Sequence, residues 1–165
     1  MKKEIIITRI FNAPTELVWK AFTDAELVMR WWGPDKFTSP SANINFHEGK
    51  ASVVCMRAPK EFGGQDMYNV WAYKKIVPLE RIEYIQNLSD ENGNSVDPIK
   101  LGLPADFPKD TETIVTFKKL GADKTEIIFT EIADFGQMFH LAKLGLEQCL
   151  DKMLVIFNPQ LKIDN

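Results

Sequence analysis

The chain has 165 residues, enough for one domain with a sizeable core and too few for two ordinary ones, so we assign 1–165 to a single domain. Hydrophobic residues make up 45% and charged residues 26%, which is typical of globular rather than disordered proteins. The formal net charge of −3 argues against nucleic acid or an anionic membrane as a partner, because both attract basic surfaces. No apolar run approaches the roughly 20 residues of a membrane span, and the first residues lack the features of a signal peptide, so we expect a cytoplasmic protein.

The first predicted elements are one strand and two short helices. Residues 3–11 are rich in isoleucine and predict a strand. Asn12-Ala13-Pro14 offers a cap and a proline suited to the first turn of a helix. A capping-box pattern from Thr23 to Glu26 predicts a second short helix, which Gly33-Pro34 ends.

Two adjacent tryptophans, Trp31 and Trp32, stand at the end of the second predicted helix. Adjacent helical residues point about 100° apart, so both rings cannot face one surface. We expect one ring to plug the core or the mouth of a cavity and the other to lie over neighbouring strands. Packing alone is an alternative role for both.

From about residue 38 to 131 the apolar pattern has a period of two, which indicates β-strands. Short turns join most of these strands, so we expect an antiparallel sheet. The predicted strands are 43–46, 52–57, 67–77, 81–88, 111–120 and 124–131.

Residues 89–110 form a connection that is too long for a hairpin turn. Pro98, Pro104 and Pro108 restrict its conformations, and apolar residues such as Phe107 give it anchors for packing. We predict an ordered flap that gates a pocket; a surface loop without a gating role and a homodimer interface are the alternatives.

The last predicted element is a long helix with one apolar side, starting at the capping-box pattern of Asp134 and Gln137 and ending at Asn158-Pro159. The order of elements predicts an α+β fold, in which a curved antiparallel sheet of about six to seven strands wraps around this C-terminal helix.

Several stretches resemble the family of activator of heat-shock protein 90 ATPase homologues, within the START-like or Bet v 1-like helix-grip superfamily. They are ITRIFNAPTELVWKAFTDAELVMRWWGP at 7–34, GKASVVCMRAP at 49–59, YKKIVPLERIEY at 73–84, TIVTF at 113–117 and LGLEQCLDKM at 144–153. The resemblance implies a helix-grip fold with a cavity between sheet and helix. In that superfamily the cavity binds apolar or aromatic small molecules, and some members catalyse cyclisation or dehydration there. The chain departs from the family at Trp71, where a small residue is usual, and at Leu146, where tryptophan is usual.

Strand parity and the apolar side of the last helix identify candidate lining residues for such a cavity. They are mostly apolar with a few polar groups, as small-molecule pockets are, although a solid core would share most of this composition. Glu131 lies at a strand end and could instead reach water. The candidate ligand-binding residues are Trp31, Met56, Trp71, Tyr73, Tyr84, Val115, Phe117, Phe129, Glu131, Leu146 and Leu150.

No pattern for metal or cofactor chemistry is present in the sequence. His47 and His140 are the only histidines and lie far apart, so we predict no metal, and no glycine-rich phosphate loop indicates a cofactor. Cys55 and Cys149 have apolar neighbours, as buried thiols do, and no cation that would activate them.

Three functions remain open. The leading hypothesis is binding of an apolar or aromatic small molecule without covalent chemistry. The first alternative is a cyclase, aromatase or dehydratase whose acid–base groups come from Glu131, Tyr73, Tyr84, Lys75 and Arg57. The second is a chaperone-associated interaction module, which we do not expect because the relevant eukaryotic activators carry a further N-terminal domain for which this chain has no room.

Overall fold

Seven antiparallel strands form one sheet in a computed structural model that describes residues 1–161 of the chain. The strand order is β1-β7-β6-β5-β4-β3-β2, so the first strand pairs with the last. The strands are β1 (Lys3–Phe11), β2 (Ala42–Asn43), β3 (Ala51–Arg57), β4 (Asp66–Val77), β5 (Arg81–Ser89), β6 (Thr111–Lys119) and β7 (Thr125–Ala133). The helices are α1 (Thr15–Thr23), α2 (Ala25–Trp31) and α3 (Phe139–Phe157).

The predicted α+β helix-grip fold is confirmed: the sheet curves around α3, and α1 and α2 follow the first strand. The buried side of α3 consists of Leu146, Cys149, Leu150 and Met153, spaced at three and four residues along the helix. The predicted single domain included residues 162–165, which lie outside the described residues. No helix of residues 1–161 is both long and apolar enough to cross a membrane.

The last helix begins later than the sequence predicts. A single 3-10 turn, Gly136–Met138, precedes α3, and Gly136 has a φ of +50° that an α-helix does not accommodate. Asp134 accepts a hydrogen bond from the Gly136 N–H at 3.1 Å. The Gln137 N–H, which the predicted capping box would use, instead donates to Asp106 at 3.2 Å. The predicted strand at 43–46 is likewise shorter and ends at Asn43.

A β-bulge in β4 changes which side chains face inward. Tyr73 pairs with Tyr84 while Lys75 pairs with Glu83, so Lys74 is the extra residue. Lys75, a candidate acid–base group of the enzyme alternative, therefore does not share the inward face of Trp71 and Tyr73, and it is exposed.

Hydrogen bonds from Lys152 join α3 to the segment that follows α2. Its ammonium donates to the carbonyl oxygens of Gly33, Pro34 and Phe37 at 2.7, 2.9 and 2.9 Å. Gly33 has a φ of +105°, and a Cβ there would stand 3.1 Å from the Phe37 Cβ. The helix and the tryptophan-bearing segment are thus held in one arrangement.

Candidate ligand pocket

A pocket of about 260 Å³ lies at one end of the sheet, between the sheet, the first half of α3 and the flap. Its walls are mostly apolar and include a small number of polar side chains. The lining residues are Trp32, Pro34, Met56, Asn69, Gln86, Asn87, Leu88, Phe107, Pro108, Thr111, Glu131, Phe135, Met138, Leu141, Ala142, Gly145, Leu146 and Cys149.

Small residues on α3 leave room for this pocket. Ala142 and Gly145 both line it. A Cβ on Gly145 would meet only Pro34, at 3.9 Å, which is an ordinary contact. The close approach of helix to sheet therefore does not require glycine here, and the missing side chain adds space to the pocket.

The predicted ligand-binding residues divide into two groups. Met56, Glu131 and Leu146 line the pocket. The others are packed in the core behind its walls: Trp31, Trp71, Tyr73, Tyr84, Val115, Phe117, Phe129 and Leu150. The alternation of side chains along a strand predicts which residues face inward. It does not predict which of these inward residues border an open space.

Aromatic packing around Trp71 explains this division. The Trp71 ring lies parallel to that of Trp31, with centroids 6.0 Å apart and planes 24° apart. Trp32 packs edge-on against it at 5.2 Å, and Tyr84 lies at 5.3 Å. These rings fill the centre of the sheet, and the pocket lies at the end beyond them.

The two adjacent tryptophans have separate places. Trp31 is fully buried, and its indole N–H donates to the Ala21 carbonyl at 2.7 Å. Trp32 follows the last residue of α2 and has extended backbone, which turns its ring over Trp71 and into the pocket wall. The sequence predicts Trp31 as a ligand-binding residue, whereas Trp32 is the one of the two that lines the pocket.

Gln86 forms hydrogen bonds to two other side chains on the polar side of the pocket. Its amide nitrogen donates to Thr113 Oγ1 and to Glu131 Oε2, both at 2.8 Å. Burial raises the pKa of the Glu131 carboxyl to about 7, and the hydrogen bond from Gln86 offsets part of this effect. Glu131 keeps some accessible surface because it faces the pocket, although protein surrounds it elsewhere.

The two buried tyrosines do not pair with Glu131. The Tyr73 hydroxyl lies 2.7 Å from Ser52 Oγ, and burial raises its pKa to about 12. The Tyr84 hydroxyl has no partner among residues 1–161, and burial raises its pKa well above the usual value. Arg57, the remaining candidate acid–base group, pairs with Asp66 at 2.7 Å on the exposed side of the sheet. Among residues 1–161, neither buried tyrosine hydroxyl is hydrogen-bonded to Glu131.

The flap covers one side of the pocket. Phe107 and Pro108 contribute to the lining, and Asp106 accepts a hydrogen bond from the Gln137 N–H beside the start of α3. At the base of the flap Asn87 and Asp110 exchange two hydrogen bonds, at 3.0 and 2.6 Å. The predicted anchor Phe107 thus reaches the pocket, although it is not among the ligand-binding residues that the sequence predicts.

This architecture is that of a helix-grip domain with a pocket between sheet and C-terminal helix. Residues 12–158 match the family model described as Activator of Hsp90 ATPase homolog 1-like protein, and the chain belongs to this family. No curated protein sequence gives a significant match.

Solved structures with the same fold come from several bacteria. A protein of Staphylococcus epidermidis has a TM-score of 0.76 at 20% identity, covering 100% of this chain and 95% of its own. A protein of Chromobacterium violaceum has a TM-score of 0.74 at 23% identity, with coverage of 93% and 96%. A protein of Silicibacter pomeroyi that bears the family's name has a TM-score of 0.72 at 14% identity, with coverage of 96% and 99%. At these identities the likeness concerns the fold.

Proposed function

We propose that this protein binds a small apolar or aromatic molecule in the pocket between the flap, α3 and the end of the sheet. The observation that carries the proposal is the pocket itself, about 260 Å³ in volume and lined largely by apolar and aromatic side chains. Pockets for small molecules have this composition, with a few polar groups that orient the ligand.

The pocket volume limits the size of the ligand. An apolar cavity of about 150 Å³ holds benzene, so a pocket of about 260 Å³ suits a ligand with roughly ten non-hydrogen atoms. A compound with one aromatic ring and a short substituent meets this limit.

Binding without covalent chemistry fits the polar groups better than catalysis does. The enzyme alternative needs an acid and a base around one ligand, and the Glu131 carboxyl is hydrogen-bonded to an amide rather than to a tyrosine hydroxyl.

Replacing Leu146 with tryptophan tests the proposal. Leu146 lies in the pocket wall, and the larger ring of a Leu146→Trp variant would occupy the space that a ligand needs. We expect single-ring compounds to raise the melting temperature of the wild type and to have little effect on this variant. Leu144→Trp is the matched control, since Leu144 lies on the same helix and is 50% exposed. Equal ligand-induced shifts in wild type and Leu146→Trp would contradict binding at this site.

A further inference from the structure

We infer that the ligand carries a protonated amine, which donates hydrogen bonds to Glu131 and Gln86 while its apolar part lies against the aromatic side of the pocket. This inference rests on the proposed function and adds the chemical class of the ligand.

Gln86 and Glu131 leave hydrogen-bond acceptors rather than donors on the polar wall, while the buried Trp32 indole N–H, on the aromatic side of the lining, has no partner among residues 1–161. Both N–H groups of the Gln86 amide are engaged, one by Thr113 and one by Glu131. The Gln86 Oε1 and the Glu131 Oε1 atoms have no partner among residues 1–161, and neither is sealed from solvent. Because both residues line the pocket, these two oxygens are open to it. A primary ammonium group, with three N–H donors, is complementary to such a pair.

The charge of the pocket also favours a cation. Its lining contains the Glu131 carboxyl and, among the described residues, no lysine, arginine or histidine. The other titratable groups that act on Glu131, or are acted on by it, are Tyr84 of β5 and Cys149 of α3, and both are uncharged at neutral pH. A carboxylate that is buried without a counter-ion raises the free energy of the protein, because it has lost its hydration. A cationic ligand would offset this penalty by pairing with the carboxylate.

Lys152 does not supply that counter-ion. It lies one turn from Cys149 on α3, but its ammonium donates to the carbonyl oxygens of Gly33, Pro34 and Phe37. All three of its donors are engaged there.

The aromatic side of the pocket adds a second attraction. Trp32, Phe107 and Phe135 contribute rings to the lining. Aromatic faces attract cations, by about 0.5–1 kcal/mol at exposed sites and by more where water is excluded. Rings beside a single carboxylate therefore suit an amine with an aromatic or aliphatic body better than a neutral molecule or an acid.

The protonation state of Glu131 makes the expected affinity for the amine depend on pH. An aliphatic amine stays protonated below about pH 9, whereas the Glu131 carboxyl, whose pKa burial raises to about 7, loses its proton between acidic and mildly alkaline pH. Ion pairing requires the carboxylate form. Affinity for the amine is therefore expected to rise from pH 5.5 to pH 8, and binding below pH 7 is expected to release a proton.

Isothermal titration with three probes of similar size tests the inference: 2-phenylethylamine, 2-phenylethanol and phenylacetate. At pH 8 we expect the wild type to bind the amine about tenfold more tightly than the alcohol, and the acid most weakly. Glu131→Gln should reduce the preference for the amine to the small part that the Gln86 oxygen and the aromatic rings provide, and at pH 5.5 the wild type should show a smaller preference. Glu126→Gln, the same substitution on the same strand at a residue outside the pocket, should behave like the wild type.

The outcomes separate this inference from the proposed function. If the alcohol or the acid binds as tightly as the amine at pH 8, and Leu146→Trp abolishes that binding, the amine inference fails and the pocket remains a binding site. If the amine preference is as large in Glu131→Gln as in the wild type, the inference fails as well. If no probe binds, the inference fails together with the proposed function.

Discussion

Glu131 is a titratable side chain among mostly apolar neighbours. The free energy of unfolding therefore depends on whether its carboxyl is protonated. In the folded state burial raises its pKa to about 7, from an ordinary value of 4.5. Between these two values the folded protein binds more protons than the unfolded chain, so the free energy of unfolding falls as pH rises. The stabilisation from the retained proton is complete below about pH 4.5 and is lost as pH rises through about 7.

Glu131→Gln should remove this pH dependence. Relative to the variant, we expect the wild type to lose at most about 3 kcal/mol of unfolding free energy between pH 5 and pH 8. Urea denaturation at several pH values measures the difference, and Glu126→Gln serves as the control that should follow the wild type. Parallel stability curves for wild type and Glu131→Gln would show that the carboxyl has an ordinary pKa in the folded protein.

Among the elements, the flap is held by a specific contact near its carboxyl-terminal end. Asp106 accepts a hydrogen bond from the Gln137 N–H in the 3-10 turn Gly136–Met138, just before α3. Gly136 makes room for this contact, since a Cβ there would come within 2.5 Å of the Asp106 carboxylate. If the flap gates the pocket, this contact holds the gate closed.

Asp106→Ala is expected to loosen the flap with little effect on the fold. Asp106 is exposed and the variant loses one hydrogen bond, so the unfolding free energy should change by about 1 kcal/mol or less. Dissociation of a bound ligand should become several-fold faster, which stopped-flow measurement of the exchange rate would detect. Glu91→Ala, at another exposed position of the flap, should leave the rate unchanged. An unaltered dissociation rate in Asp106→Ala would argue against gating through this contact, and sedimentation would test the alternative of a homodimer interface.

Element types could be predicted from the sequence because they follow local periodicity, whereas the pocket depends on packing between distant segments. The alternation along 111–120 and 124–131 was sufficient to predict β6 and β7. The bulge at Lys74 could not be predicted, since parity counting assumes a regular strand. Phe107 and Trp32 reach the pocket through backbone turns that no strand or helix period encodes.

At the scale of the whole molecule, the space between sheet and helix has a filled part and an open part. Trp71 fills the centre, and Leu146 borders the opening.

Trp71→Val should open the filled part and weaken the fold. Truncating a large buried aromatic side chain costs about 3–5 kcal/mol, and Trp71 is 1% exposed. The variant should also accept bulkier ligands than the wild type, because the new space borders Trp32 in the pocket wall. Chemical denaturation and titration with two-ring compounds measure the two effects, and Trp71→Phe should give a smaller loss of stability. Wild-type stability in Trp71→Val would show that the ring does not fill the centre.

The pairing of β1 with β7 affects the order in which the strands are expected to join the sheet during folding. Lys3 lies opposite Ala133, so the first strand has no partner in the sheet until nearly the whole chain is available. Contacts so distant in sequence are slow to form, because the closure of a long loop precedes any gain from them. We expect the meander of β3 to β7 to form earlier, since its strands are neighbours in the chain, and β1 to join afterwards. During synthesis on the ribosome, the first strand must therefore wait until β7 has been made, and α3, which follows β7 in the chain, closes over the sheet last.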